Sequence, residues 1–151
     1  MFLLVTGVAL FAVVHLLRGV ALESMAADLY AEDTGRKVRR VKQRSHPDYP
    51  WAVVNVDRQI LRSNGRGTGA MEIKAPATPG FQRLLDEGAQ SQHTVQLMWA
   101  MYVLGYDWGE YVAINLEHNN GPVIHFPLER NEDLIDGMAA VADKFWHEHV
   151  E

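Results

Sequence analysis

Three side chains in the middle of the chain have the types and spacing for metal-assisted hydrolysis. Asp57 closes "NVD", Glu72 follows fifteen residues later in "MEIK", and Lys74 lies two residues beyond, with the turn "SNGRGTG" between. If the two segments are strands of one hairpin, side chains alternate between faces, so Glu72 and Lys74 share one face while Met71 and Ile73 take the other. Pairing Asp57 near Glu72 then brings two carboxylates and an ammonium together. Neighbouring carboxylates raise each other's pKa unless a cation lies between them. A divalent metal relieves that repulsion. A lysine beside it can orient water and stabilise developing negative charge, which is the equipment for phosphodiester hydrolysis. The same residues also suit a surface hairpin with a cross-strand Asp–Lys or Glu–Lys pair. The spacing Asp-x(n)-Glu-x-Lys alone admits both.

Composition narrows the chemistry. The chain has no cysteine, which excludes disulfides, thiolate zinc sites and cysteine nucleophiles and fits a reducing compartment. A metal would have to be held by carboxylates, carbonyls or His, a donor set that suits Mg²⁺ or Mn²⁺. The net charge of −5 hides an asymmetry: residues 36–74 hold ten of the fourteen Lys and Arg but three of the nineteen acids. A basic segment on an acidic body can steer a polyanion to one face. Arg36, Lys37, Arg39, Arg40, Lys42 and Arg44 are candidate phosphate contacts, and Arg58, Arg62 and Arg66 extend that surface. Trp51 and Trp99 suit either base stacking or the core.

These residues need elements to position them. The 151 residues suffice for one domain, 1–151, and not comfortably for two. Apolar periodicity predicts a helix over roughly 8–33, ending at Gly35. Its first part, 1–17, is apolar enough to suggest either a buried or oligomer-facing helix or a membrane-related segment, although His15 and Arg18 interrupt it. "RKVRRVKQRS" reads as extended and "HPDYP" as a proline-bounded turn, with His46 stabilising the turn or serving a ligand. "WAVVNVDRQILR" and "AMEIKA" read as an antiparallel pair. Residues 79–88 and "QSQHTVQLMWAMYVLG" read as helices, "EYVAINLE" and "PVIHFPLE" as strands, and the C-terminal stretch as an amphipathic helix capped by Asn131. The order predicts an α/β or α+β domain with a central mixed sheet flanked by helices.

The pieces "GVALESMAADLYAEDTGRKVRRV", "HPDYPWAVVNVDR", "MEIKAP", "TVQLMWAMYVLG" and "LERNEDLIDGMAAVADKFWHEHV", in this order, resemble the YqaJ-like viral recombinase family. These are phage-type exonucleases within the PD-(D/E)XK nuclease superfamily, and the resemblance runs from about Arg18 to the C-terminus. It implies a restriction-endonuclease-like core in which Asp57 and Glu72 bind the metal, Ile73 lends its backbone carbonyl, Lys74 is the catalytic lysine, and Glu23 on the first helix and Gln96 on a later one assist. Two positions depart from the family pattern: His93 stands where a Tyr often precedes that Gln, and Met98 where a second Gln is common.

By the same resemblance the expected activity is a Mg²⁺- or Mn²⁺-dependent deoxyribonuclease, an exonuclease rather than an endonuclease. It would act on duplex DNA ends to leave a single-stranded tail for an annealing protein, in the cytoplasm of a bacterial or phage-infected cell. The resemblance also implies a ring-like trimer. By the resemblance, an N-terminal portion with Gly/Ser and Arg residues is expected to grip the DNA end, whereas residues 1–17 here are an apolar run. That difference motivates the alternative of a DNA-binding or assembly module that keeps the nuclease fold without activity.

Overall fold

A computed structural model describes residues 19–63, 65–119 and 121–150. The apolar stretch 1–17, with His15, lies outside them. Helix α1 occupies 19–34, and Gly35 follows with a left-handed φ of 68°. Seven strands come next in chain order with the remaining helices: β1 (Val38–Arg39), β2 (Arg44–Ser45), β3 (Val53–Val54), β4 (Arg58–Ile60), β5 (Gly69–Lys74), α2 (Thr78–Glu87), α3 (Ser91–Leu104), β6 (Trp108–Ile114), β7 (Val123–Glu129) and α4 (Glu132–His149).

Five strands form one mixed sheet in the order β1-β4-β5-β6-β7, and β2 and β3 make a separate ribbon. Only β5 and β6 run parallel. They are joined through α2 and α3, as a parallel connection needs a crossover. This is the expected mixed sheet flanked by helices. Alternation along β5 and β6 divides the core in two. Met71, Ile73, Trp108, Val112 and Ile114 pack with Ala26, Ala27 and Tyr30 of α1. Ala70, Tyr111 and Ala113 pack with Leu97, Met98 and Met101 of α3 and with Phe81 and Leu84 of α2. Glu72 and Lys74 alternate with Ile73 and so lie on the α3 side.

The helix ends follow local chemistry. Leu134 N–H donates to the side chain of Asn131 at 3.0 Å, capping α4 as predicted. Gly105 ends α3 with φ 64°, a left-handed conformation that glycine adopts without a Cβ penalty.

The long strand predicted over "WAVVNVDRQILR" is broken. Val53 and Val54 pair with β2, whereas Arg58 to Ile60 join the main sheet. Asn55, Val56 and Asp57 form the bend between them. Asp57 therefore does not share a strand face with Asn55 and Val53. Its side chain turns inward to bond a backbone amide of β5, so it leaves the strand ladder, as Asp commonly does.

Candidate active site

The β4–β5 register pairs Arg58 with Met71, which sets Asp57 opposite Glu72, as the hairpin geometry required. The Asp57 carboxylate accepts a hydrogen bond from Ile73 N–H at 2.7 Å. Ile73's carbonyl points to the same strand edge as its N–H, so that edge offers one carboxylate and one carbonyl side by side. Lys74 Nζ donates to Glu72 Oε1. The three groups drawn together by spacing alone are neighbours in the fold.

Their electrostatics are unbalanced. Burial pushes the Asp57 carboxyl up to about 6, the charges of Glu72 and Glu23 add to the rise, and the Ile73 N–H bond and Lys74 oppose it. The bond and the ammonium fail to offset the loss of water and the like charges. Behind Glu72, in register on β6, stands Tyr111. Burial raises its phenol to about 12, with Glu72 adding to the shift. His93 on α3 stacks on Tyr111 with ring centroids 4.1 Å apart, and its Nε2 lies 3.2 Å from the Tyr111 hydroxyl. Burial first, then Lys74, lowers the His93 pKa, which favours the neutral ring.

Three of the acids and bases named from sequence are engaged elsewhere. Glu23 of α1 pairs with Arg58, and the same guanidinium donates to the Asp57 carbonyl at 2.6 Å. Glu23 therefore sits near the Asp57–Glu72 pair, with its charge already met by a buried arginine. Arg36 reaches inward to Glu110 at 2.6 Å and to Tyr30 at 3.0 Å. As placed, Arg36 and Arg58 hold the fold together, which corrects their reading as open phosphate contacts. Formal charge in a sequence does not reveal a buried counter-ion. Arg39 bonds Gln59 at 2.6 Å and Arg40 reaches Ser24 at 3.4 Å, while Lys37, Lys42 and Arg44 are exposed. His46 accepts from Asp48 N–H at 3.1 Å and stacks on Tyr102, which is the turn-stabilising role.

Among the described residues no group of three or more His, Asp or Glu side chains is arranged to hold a metal. The available donors are Asp57, Glu72 and the Ile73 carbonyl. They fit a divalent hard cation on two grounds: all are oxygen ligands, and the Asp57 carboxylate is disfavoured by burial first and then by the like charges of Glu72 and Glu23, which a cation would offset. Mg²⁺ characteristically uses one or two carboxylates and keeps several waters.

Two cavities meet at this place. A groove of about 1040 Å³ extends from Asp57 and Glu72 past Trp51, Trp99 and Trp146 along α4. A second cleft of about 660 Å³ opens on the far side of Lys74 between α2 and α3. Gln96 lines both. Trp99 Nε1–H donates to Val53 O at 2.9 Å and Trp51 stacks on Trp146 at 5.7 Å, so both rings predicted as core or stacking residues line the groove.

The YqaJ-like viral recombinase domain matches residues 12–107, more than half of the chain. The chain belongs to this family. A curated relative, the uncharacterized protein YqaJ of Bacillus subtilis (strain 168), is 28% identical over 134 residues, covering 87% of this chain. The chain spans 40% of that relative's length. Among solved structures it is similar to an alkaline exonuclease from Laribacter hongkongensis, with TM-score 0.78, 22% identity, and coverage of 88% of this chain and 67% of that one. The same enzyme in complex with dAMP matches with TM-score 0.78 at 23% identity, covering 87% and 66%. These likenesses establish the fold. The stretch matching the YqaJ-like family holds Glu23, Asp57, Glu72, Lys74 and Gln96. Tyr111 lies beyond it and was missed from sequence, because only the parallel β5–β6 register places it behind Glu72. Among the described residues no helix is long and apolar enough to cross a membrane.

Proposed function

We propose that the chain is a single nuclease domain, a Mg²⁺- or Mn²⁺-dependent deoxyribonuclease acting exonucleolytically on the ends of linear duplex DNA. The observation that carries this reading is the meeting of Asp57, Glu72 and Lys74 at one strand edge, with the Asp57 carboxyl pushed to about 6. Family membership and the alkaline exonuclease fold support it.

Asp57, Glu72 and the Ile73 carbonyl would hold the divalent metal, which supplies Lewis acidity and an acidified water when bound. The Ile73 N–H fixes the orientation of the Asp57 carboxylate, so this ligand is set before substrate arrives. Lys74, paired with Glu72, would hold the phosphoryl oxygen and meet the negative charge that grows during attack. Gln96, on the wall shared by the two cavities, can orient the attacking water. Glu23 assists indirectly, by holding Arg58 against the Asp57 backbone. Digestion of one strand would leave a single-stranded tail for an annealing protein, in a cytoplasmic setting. A ring-like trimer follows from the family reading.

The test is digestion of linear duplex with Mg²⁺ or Mn²⁺ against EDTA, repeated with Glu72→Ala and Lys74→Ala. Metal-dependent digestion that survives both substitutions removes this assignment. Salt-sensitive DNA binding with no cleavage in any divalent metal would instead favour an inactive binding or assembly module.

A further inference from the structure

The cleft beyond Lys74 has the opposite electrostatic character to the groove on the other side. Asp57, Glu72 and Asp133 line the apolar groove. The cleft carries Lys74 and Arg83, with Gln90, Gln92, His93 and Gln96 around them, and no Asp or Glu lines it. In a chain of net charge −5, an acid-free recess that holds Arg83, with Lys74 at its edge paired to Glu72, is a place for an anion.

Arg83 gives the cleft its strongest feature. Arg36, Arg58, Arg66 and Arg130 each pair with a carboxylate. Arg83 is exposed and has no hydrogen bond or ion pair among the described residues. Its planar fork of donors is thus available, and it suits a phosphate bidentately. The neighbouring donors are amides, and the buried Nδ1 of His93 has no hydrogen-bond partner. Lys74 belongs to both the cleft and the catalytic edge. A strand whose reacting phosphodiester lies at Asp57, Glu72 and Lys74 therefore passes from one cavity to the other across Lys74 and Gln96.

We infer that this cleft binds a further phosphate group of the substrate strand, next to the reacting one, with Arg83 as its anchor and the Gln90 and Gln92 amides as supporting donors. The inference rests on the nuclease reading of the adjoining site and adds a substrate subsite to it. A phosphate contact positions the backbone without reading sequence, so the cleft sets register on the strand, not base preference.

The experiment is fluorescence anisotropy of a labelled oligothymidylate with the full chain, Arg83→Ala and Arg83→Lys, in EDTA over a range of salt concentrations. Arg83→Ala is expected to weaken binding about tenfold at low salt, as loss of one charge-assisted phosphate contact should. The slope of log affinity on log salt should fall by about 0.7, the value for one single-strand phosphate. Arg83→Lys should keep the slope, and Lys144→Ala on α4 should change neither quantity. Equal affinity and slope for the full chain and Arg83→Ala overturn the inference. So does Arg83-dependent binding of inorganic phosphate with strand affinity independent of Arg83, which would mark a free-anion site. Arg83-dependent binding without cleavage in Mg²⁺ sinks the nuclease reading and leaves the subsite standing. Cleavage with a KM unchanged by Arg83→Ala does the reverse.

Discussion

The Asp57 carboxylate takes a hydrogen bond from the Ile73 backbone amide at 2.7 Å, and yet its pKa lies at about 6, above the usual value near 4. The raised value has a sign. Between about pH 4 and 6 the folded state binds more protons at this site than the unfolded state, so stability falls as pH rises through that window. At neutral pH the ionised Asp57 weakens the metal-free fold. Asp57→Asn keeps an oxygen for the Ile73 amide and removes the charge. It is expected to raise Tm at pH 7 by roughly 3 °C, for about 1 kcal/mol after discounting for solvent screening, and to leave Tm near pH 4 unchanged. Added Mg²⁺ should raise the Tm of the native chain and not that of Asp57→Asn. Differential scanning calorimetry at the two pH values, with and without Mg²⁺, checks both. A Tm that falls at pH 7 in metal-free Asp57→Asn would contradict the electrostatic account.

Glu72 and Lys74 give a prediction on rate. Glu72→Gln retains size and a hydrogen-bonding oxygen but loses the charge that a divalent metal needs. Lys74→Ala removes the ammonium that faces the developing phosphoryl charge. Each is expected to lower kcat for Mg²⁺-dependent digestion at least about a hundredfold. Lys74→Arg should recover little, since a planar guanidinium does not replace a compact ammonium. Single-turnover digestion of an end-labelled duplex measures this, alongside circular dichroism to show that the variants fold. Activity within tenfold of the native chain for Glu72→Gln would move the metal site elsewhere.

The fold and the Asp57–Glu72–Lys74 edge were largely legible because local signals agree there. The strand periods are short, the turn is glycine-rich, Asn131 and Gly105 punctuate helices, and the E-x-K spacing fixes a shared face. The illegible parts depend on contacts far apart in sequence. Nothing local to "NVD" shows that Asp57 leaves its strand to bond Ile73. Nothing in the basic run shows that Arg36 finds Glu110 seventy-four residues away. Tyr111 and Arg83 carry no motif, and only the β5-α2-α3-β6 crossover brings them to Lys74.

Glu110 anchors the opposite face of the sheet and should matter to stability alone. It is 1% exposed, meets Arg36 at 2.6 Å and lies 3.1 Å from His125 Nδ1. Its other neighbour, Tyr30, has its phenol pushed up to about 12, chiefly by burial. Glu110→Ala strands Arg36 without its counter-ion, a change expected to cost about 3 kcal/mol. Urea unfolding should show the lower midpoint with an unchanged m-value. Below the unfolding transition, kcat should stay within about twofold, because the network lies on the α1 side and Lys74 on the α3 side. A loss of kcat in fully folded Glu110→Ala would show coupling between the two faces.

Gly109 sets how closely β6 can approach β5 beside the site. A Cβ there would meet Ala70 O at 2.9 Å and Leu97 Cδ2 at 2.9 Å. The first is backbone of the paired strand and cannot yield without spreading β5 from β6. The ladder that begins with Ala70 opposite Gly109 continues to Glu72 opposite Tyr111 and Lys74 opposite Ala113. Gly109→Ala is therefore expected to cost about 2 kcal/mol through overpacking and also to displace Glu72 and Lys74 from the Asp57 edge. It should lower Tm and, at temperatures where the chain is folded, lower kcat as well. Gly137→Ala on α4, where a Cβ meets nothing within 4 Å, is the control and should hold Tm or raise it slightly, as helix propensity favours Ala. If Gly109→Ala melts like the native chain, the close parallel approach of β5 and β6 does not set the position of the catalytic edge.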